Sequence, residues 1–325
     1  MKTPFCILCL CLLCTFKSWG AYDYEVDGIY YNLYRTELEV TCGEKKYQQK
    51  EMVIPAHVTI DGREYKVISI GSDAFRDNGF IESVTLPNTI EFIRSYSFKG
   101  STLKSINLPE SLWDIETGAF ERTDLREINI PSGINTIEEG VFHGCIYLHT
   151  VILPKTLSYI KTDAFASTGL TAITIPEKVF SIGLNAFQNT TLAEIYCLAP
   201  EPPHTRHPHG TVYGFPFSND TYENATVYVP EEYLAIYMDT SHWGKKDTFI
   251  PGEEYAYFRK IKGFDPAGIS DVTNDDSKAT IEVYTIQGIR IYDTIPNLSN
   301  GIYIIRQGKT TKKVIINNAP GSQMF

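Results

Sequence analysis

Three histidines lie close together in the sequence PPHTRHPHG, at His204, His207 and His209. Neutral imidazoles at short spacing readily bind Zn²⁺ or Cu²⁺. However, Glu201 is the one other ligand type within the same few residues, and the prolines between the histidines restrict how the rings can converge. We therefore interpret this stretch as a solvated loop, keep a metal site as the alternative, and predict no metal ligand.

A second stretch, GIYIIRQGKT at 301–310, has the glycines, lysine and threonine of a phosphate-binding loop. Its glycines are separated by six residues instead of four, and a strand-like sequence follows instead of a helix. We predict no nucleotide site, because no helix N-terminus would face a phosphate. No serine-hydrolase, zinc-protease or calcium-loop motif occurs either. The sequence predicts no catalytic residue, no cofactor and no enzymatic activity.

The elements that would position any functional side chain belong to an internal repeat. Six phenylalanines recur at intervals of 22 or 23 residues, namely Phe75, Phe98, Phe120, Phe142, Phe165 and Phe187. Five prolines keep the same intervals, namely Pro87, Pro109, Pro131, Pro154 and Pro176. Two independent markers in one register indicate that the middle of the chain consists of six copies of one unit.

Each unit has the pattern of a strand followed by a return to the core. In the copy LREINIP, apolar Ile128 and Ile130 alternate with polar Glu127 and Asn129, which is typical of a strand with one buried face. Pro131 ends this strand because it has no N–H for the sheet. The later phenylalanine is predicted to fill the coil from a short helical turn. One unit cannot bury its apolar face alone, so we expect stacked units with parallel strands about 4.8 Å apart.

The pattern L-x-x-I-x-I-P-x-x-h-x-x-I-x-x-x-A-F, where h is apolar, resembles the leucine-rich repeat of the BspA-like class, or Treponema-type repeat, over residues 67–198. The predicted fold is a leucine-rich-repeat solenoid, with a parallel β-sheet on one side and turns with short helical segments on the other. The resemblance implies right-handed curvature, a surface or secreted location in host-associated bacteria and, in many members, adhesion. It also implies that the thiol of Cys145 is buried.

The chain divides into six predicted segments. These are a signal peptide at 1–20, an N-terminal β cap at 21–66, the six-repeat solenoid at 67–198, a C-terminal cap at 199–264, a linker at 265–280 and a small all-β module at 281–325. The module resembles a shortened sorting domain of the type IX secretion class. The alternative is a plain β domain packed on the solenoid.

The first segment has the features of an export signal. Lys2 precedes the apolar run FCILCLCLLCTF, and small residues at Ser18 and Gly20 favour cleavage before Ala21. The run is too short to span a bilayer permanently. We therefore expect a mature chain that is not inserted in the membrane and that is secreted or associated with the cell surface or outer membrane.

The net charge of the chain narrows the classes of partner that it could bind. The formal net charge of −10, without any cluster of Lys and Arg, disfavours nucleic acid and anionic lipid as partners.

Four of the seven cysteines lie in the signal segment. The other three, Cys42, Cys145 and Cys197, are scattered, and we interpret them as small buried residues, with a single disulfide as the alternative.

The outward face of the repeat sheet is the predicted binding surface, because the concave face of a solenoid commonly binds partners. Its candidate residues are Ser105, Asn107, Glu127, Asn129, Thr150, Thr174, Glu194 and Tyr196. The alternative is that these short polar groups merely tolerate strand curvature. Because Asn107 is predicted to point outward, we expect Asn107→Ala to cost little stability. A partner could instead dock at the aromatic residues of the C-terminal cap, which are Tyr213, Phe215, Tyr222 and Trp243.

The sequence therefore predicts an exported, non-catalytic protein that binds a host or bacterial protein, or a glycan, as an adhesin would. The alternative from a different class is a structural or scaffolding component of a cell-envelope assembly. A hydrolase with an unrecognised site is the least favoured interpretation.

Overall fold

The computed structural model describes most of the repeat region and its flanks. The described residues are 22–43, 47–205, 215–240, 243–245 and 257–264, together with the backbone of strands at 281–285, 290–291, 301–307 and 310–316. The predicted signal peptide, the predicted linker, His207 and His209 lie outside the described residues.

The repeats form two rows of parallel strands along the molecule, called ladders below, and strand pairing is interrupted twice in the first ladder and once in the second. The first ladder takes one strand from each repeat: β7 (Ser83–Thr85), β9 (Ser105–Ile106), β11 (Glu127–Asn129), β13 (Thr150–Ile152), β15 (Ala172–Ile175) and β17 (Glu194–Cys197). The second ladder consists of two-residue strands: β8 (Phe92–Ile93), β10 (Asp114–Ile115), β12 (Thr136–Ile137), β14 (Tyr159–Ile160) and β16 (Ser181–Ile182). Equivalent residues of paired copies lie opposite each other, as in Glu127 with Thr150 and Tyr159 with Ser181.

The six repeat phenylalanines form a single column inside the stack. Neighbouring ring centroids are 4.9 to 5.6 Å apart, and the ring planes differ by 2 to 10°. The side chains are at most 1% exposed. Phe217 adds a seventh ring, 5.2 Å from Phe187. The predicted interior column is confirmed, and it follows from stacking identical units that each bury one large ring.

Turns surround each phenylalanine where the sequence predicts short helical segments, and this part of the prediction is wrong. No residue of 67–198 lies in a helix. The residue two positions before each phenylalanine has positive φ, namely Asp73, Tyr96, Gly118, Gly140, Asp163 and Asn185. The residue two positions after each phenylalanine also has positive φ, namely Asp77, Gly100, Arg122, Gly144, Ser167 and Asn189. Left-handed residues at both sites prevent a helix from propagating, because an α-helix requires right-handed φ throughout.

Five further strands precede the repeats, and a sixth strand runs into the start of the repeat region. The bounds are β1 (Tyr24–Val26), β2 (Ile29–Tyr34), β3 (Glu37–Thr41), β4 (Glu51–Val53), β5 (His57–Ile60) and β6 (Arg63–Ile70). Strands β1, β2 and β3 pair antiparallel in sequence order, and β6 lies between β3 and β8. β4 pairs with β7 in parallel, so the first ladder begins before residue 67.

The segment after the repeats extends the first ladder at its other end. Its elements are α1 (Asn219–Asn224), β18 (Thr226–Pro230), a 3-10 helix (Glu231–Tyr233), α2 (Leu234–Asp239) and β19 (Lys260–Phe264). Strands β18 and β19 add to β17 in parallel. Phe258 packs edge-on against Phe217 at a centroid distance of 5.1 Å, at the end of the phenylalanine column. Because these aromatics cover the last coil, its apolar flank is not left open to water.

The last strands form a separate antiparallel sheet. They are β20 (Ile281–Thr285), β21 (Arg290–Ile291), β22 (Gly301–Gln307) and β23 (Thr310–Ile316), in the order β21-β20-β22-β23. The sequence GIYIIRQGKT includes the whole of β22 and the first residue of β23, and these two strands pair antiparallel. Among the described residues, no helix has the length and apolar content needed to cross a bilayer.

Candidate functional site

The outer face of the first ladder carries the predicted binding residues in two columns. The strands alternate their side chains between the core and this face, and their register aligns equivalent positions. One column contains Ser83, Ser105, Glu127, Thr150, Ala172 and Glu194, and the other contains Thr85, Asn107, Asn129, Ile152, Thr174 and Tyr196. The fold thus brings all eight predicted residues to one face.

Exposure divides this face into an open part and a covered part. Ser105, Asn107, Glu127 and Asn129 are exposed, and they lie on three successive coils with Thr85. Thr174 and Glu194 are half-buried, whereas Thr150 and Tyr196 are 4% and 2% exposed. A ligand that approaches from solvent would therefore meet the coils of β7, β9 and β11 first.

Asn107 is engaged within the protein despite its exposure. Its side-chain amide accepts a hydrogen bond from the backbone N–H of Leu86 at 2.8 Å and donates one to the backbone oxygen of Leu86 at 2.9 Å. In a neighbouring coil the corresponding bond is made by backbone alone, from the N–H of Ile130 to the oxygen of Ile152 at 3.0 Å. Asn107 thus takes the place of a ladder bond, and the expectation that it is replaceable at little cost is not supported.

Tyr196 packs against the segment that follows the repeats. Its ring stacks on Tyr228 at a centroid distance of 4.7 Å and meets Phe264 edge-on at 6.5 Å. Its hydroxyl donates to Oε2 of Glu194 at 2.8 Å. Burial, together with the Glu194 carboxylate, raises the pKa of Tyr196 well above its usual range. The ring therefore contributes to packing of the last coils, and it offers little surface to a ligand.

Charge on the open part of the face is concentrated at two carboxylates. Glu82, just before β7, lies between Lys50 at 3.1 Å and Lys104 at 3.0 Å, and the hydrogen bonds with Lys104 and Lys50 lower the pKa of its carboxyl. Glu127 forms no ion pair within the described part of the chain. The exposed Glu127 carboxylate, next to the amide of Asn129, can therefore accept hydrogen bonds or pair with a cation from a ligand.

His204 lies on the other side of the molecule, next to the second ladder. Its backbone bridges to Ser181 in parallel, and its ring meets Phe180 edge-on at 4.6 Å. The part of the chain that the structure describes contains no group of three or more His, Cys, Asp or Glu side chains that could hold a metal ion. With His207 and His209 outside that part, metal binding at this loop stays an untested alternative.

The sequence analysis missed a set of aromatic side chains on the outer face of the second ladder. Trp113, Tyr159 and Phe180 are 58%, 41% and 57% exposed. Each of them lies shortly before the buried isoleucine of its own second-ladder strand. Tyr159 directly precedes that isoleucine, whereas Trp113 and Phe180 lie two residues before it. Alternation from that isoleucine would have placed Tyr159 outward, but it would have placed Trp113 and Phe180 on the buried side, so the sequence pattern predicts the exposure of Tyr159 alone.

Comparison with known proteins identifies the repeat type. The sequence profile of the BspA type leucine rich repeat region matches residues 68–193 in 6 copies. These residues are BspA-type leucine-rich repeats. No curated protein matches the chain.

Several solved structures of bacterial leucine-rich repeat proteins are similar to this chain. A leucine rich cell surface protein from Faecalibacterium prausnitzii is 23% identical, with 65% of this chain and 71% of that chain covered and a TM-score of 0.47. The pneumococcal vaccine antigen PcpA is 21% identical, with 70% of this chain and 59% of that chain covered and a TM-score of 0.48. A leucine-rich repeat protein of T. pallidum is 23% identical, with 62% of this chain and 83% of that chain covered and a TM-score of 0.45.

Proposed function

We propose that the protein is an exported, non-catalytic binding protein that engages a host protein or glycan through the open part of the first ladder's outer face. The binding residues would be centred on Ser105, Glu127 and Asn129. A BspA-type repeat region supports this proposal, because solenoids of this kind present extended surfaces for binding. The proposal includes a cell-surface or secreted location and a role in adhesion.

The observation that carries the proposal is the combination of exposure and register. Glu127 and Asn129 are exposed on the same face of β11, and Ser105, which is also exposed, holds the position equivalent to Glu127 in the preceding repeat. The stacked core beneath them, with its phenylalanine column, holds these groups at fixed spacing. A preorganised polar surface loses little side-chain and backbone entropy on binding, which favours recognition by hydrogen bonds.

The test uses a glycan array and a panel of host matrix proteins with the wild-type chain and three variants. Glu127→Lys and Asn129→Arg are expected to weaken binding at least tenfold, because each places a long cation on the face. Glu223→Lys makes the same charge change at an exposed position of α1 and should bind as the wild type does. Unchanged binding by both face variants would move the site elsewhere.

For location, we propose export directed by residues 1–20, with the β20–β23 sheet acting as a sorting address of the type IX class. The alternative is a permanent β domain. Fractionation of cells with one antibody against residues 301–316 and another against the repeats tests this. A sorting address that is removed leaves the repeat signal at the surface without the tail signal, whereas a permanent domain gives both signals together.

A scaffolding role in the cell envelope is the second candidate, and specific observations favour it. Asn107, Thr150 and Tyr196 of the predicted face are used internally, either through hydrogen bonds or through burial. If this role holds, arrays of free ligands show no binding, and crosslinking in intact cells traps the chain with an envelope component. Glu127→Lys would then alter that crosslink and leave array results negative.

A further inference from the structure

The exposed aromatic residues of the second ladder form a strip with a composition unlike that of the first ladder. Among the described residues, Val53 is the one large hydrophobic side chain exposed on the outer face of the first ladder. The second ladder exposes Trp113, Tyr159 and Phe180 along one side. Single exposed hydrophobic residues need no explanation, but several in one line mark an interaction surface.

The rings in this strip form two clusters, one of tilted rings and one of rings packed edge to face. Trp113 lies 5.0 Å from Phe92 with the planes at 56°, and Tyr159 lies 6.1 Å from Phe180 at 71°. The ring of His204 extends the second cluster. Tilted rings present knobs and clefts that fit side chains of a protein, whereas a sugar chain stacks best on rings that share one flat surface. Strand β12 has no aromatic residue and lies between the two clusters, which are therefore about 10 Å apart, the width of two coils.

The middle of the strip is acidic. The segments around β10 and β12, residues 111–117 and 133–140, carry four charged side chains, and all four are carboxylates, namely Asp114, Glu116, Glu138 and Glu139. The guanidinium of Arg94 pairs with Glu116 at 2.8 Å and lies 4.4 Å from the ring centroid of Phe92, and at the other end the ammonium of Lys161 lies 5.7 Å from the ring centroid of Tyr159. Burial raises the pKa of Asp114, the neighbouring Glu116 carboxylate adds to this rise, and Arg94 opposes it.

We propose that this aromatic strip, from Phe92 to Phe180, docks a protein partner through a basic segment of that partner. Arg or Lys side chains of the segment pair with the carboxylates of Glu138 and Glu139, which form no ion pair within the described residues, and lie over the exposed rings. Apolar side chains of the segment fill the two ring clusters. Trp and Tyr are among the residues that contribute most at protein interfaces, and complementary charge sets partner choice and the rate of association.

The probe for this proposal is a library of random 12-residue peptides displayed on phage and selected on the full chain. We expect the enriched peptides to combine Arg or Lys with apolar residues. Synthetic copies of these peptides are then measured by titration. Trp113→Ser and Phe180→Ser should each raise Kd at least tenfold, and Glu138→Lys should do the same because it reverses a charge in the middle coil. Raising the salt concentration should weaken binding, since exposed charges are screened.

Matched controls separate this strip from the rest of the surface. Phe80→Ser removes an aromatic that is 47% exposed and lies outside the strip, and its Kd should equal that of the wild type. Glu127→Lys, on the first ladder, should also leave peptide binding unchanged, so this test stands independently of the function proposed above. Circular dichroism and thermal unfolding establish that each variant folds.

Three results would overturn the proposal. Enriched peptides could be neutral or acidic, which would remove the charge complementarity. Trp113→Ser and Phe180→Ser could bind the basic peptides as the wild type does, which would place the site elsewhere. A glycan array could show binding that depends on Trp113 while no peptide is enriched, which would assign the strip to carbohydrate instead of protein.

Discussion

The side-chain amide of Asn107 bridges both backbone groups of Leu86 in the preceding coil, with hydrogen bonds of 2.8 and 2.9 Å. This relationship turns a predicted binding residue into a structural link between coils. It also gives the first prediction, because Asn129 holds the equivalent position one coil further and makes no side-chain hydrogen bond within the described residues.

Asn107→Ala should lower the free energy of unfolding by about 1–2 kcal/mol, since two backbone groups lose their partners. Asn129→Ala should change it by no more than about 0.5 kcal/mol, as is usual for an exposed residue without specific contacts. Urea unfolding of the two variants beside the wild type provides the measurement. Equal effects of the two substitutions would mean that the bridge contributes nothing.

The phenylalanine column predicts a large cost for emptying one position. Phe120→Ala should destabilise the fold by about 3–5 kcal/mol, because it leaves a cavity between the stacked rings of Phe98 and Phe142. Phe80, which is 47% exposed, serves as the control, and Phe80→Ala should cost about 0.5 kcal/mol or less. The denaturant midpoint measures both, and a mild effect of Phe120→Ala would contradict the interior column.

Two glycines with the same backbone conformation should respond differently to alanine. Gly118 and Gly140 have φ of +62° and +61°, so either substitution costs about 1–2 kcal/mol in the left-handed region. An added Cβ at Gly118 would overlap the ring of Tyr96, whereas at Gly140 the nearest atom is Cβ of His143 at 3.8 Å. Gly118→Ala should therefore be the more destabilising of the two.

A double-mutant cycle isolates that overlap. In a Tyr96→Ser background, Gly118→Ala should cost no more than Gly140→Ala does in the wild type, because the ring is gone. If Gly118→Ala keeps its full excess cost in that background, crowding by Tyr96 is not the cause. Thermal unfolding of the four chains of the cycle and of Gly140→Ala supplies the comparison.

The three cysteines of the repeat region and its flanks should differ in reactivity. Burial raises the pKa of the Cys145 and Cys197 thiols to about 11, which reduces the reactive thiolate, while Cys42 is partly exposed. Iodoacetamide should label Cys42 in the native protein and should label Cys145 and Cys197 only after denaturation. Peptide mass spectrometry resolves the sites, and native labelling of Cys145 would contradict its position in the core.

Periodicity in the sequence was sufficient to predict the features that every repeat shares. The intervals between phenylalanines and between prolines predicted the parallel ladder and the single interior column, because each stacked unit must bury its own apolar residues in the same way. The pattern also placed Glu127 and Asn129 outward on one strand, and the structure shows both exposed there.

Features outside the repeat could not be predicted from it. The burial of Tyr196 depends on Tyr228 and Phe264, which belong to the non-repetitive segment that follows. The bridge from Asn107 to Leu86 depends on how one side chain is oriented at the end of a short strand. Aspartate, asparagine and glycine next to the phenylalanines favour left-handed turns, but Tyr96 and Arg122 adopt the same conformation without such a propensity.

The central claim is that successive coils stack in register, so that equivalent positions form a column on the open face. Crosslinking tests it most directly, in a Cys42→Ser background with cysteines introduced at Ser83 and Ser105, which are paired in adjacent coils. Their Cα atoms, at about the 4.8 Å strand spacing, fall within the range a disulfide can bridge.

The control pair places cysteines at Ser83 and Glu127, two coils and about 9.6 Å apart by the same spacing, which is too far for a disulfide. Mild oxidation followed by peptide mass spectrometry reads out both chains. The stacked register predicts an intramolecular disulfide between positions 83 and 105 and none between 83 and 127. Failure of the first pair to bridge, or equal bridging by both pairs, would contradict it.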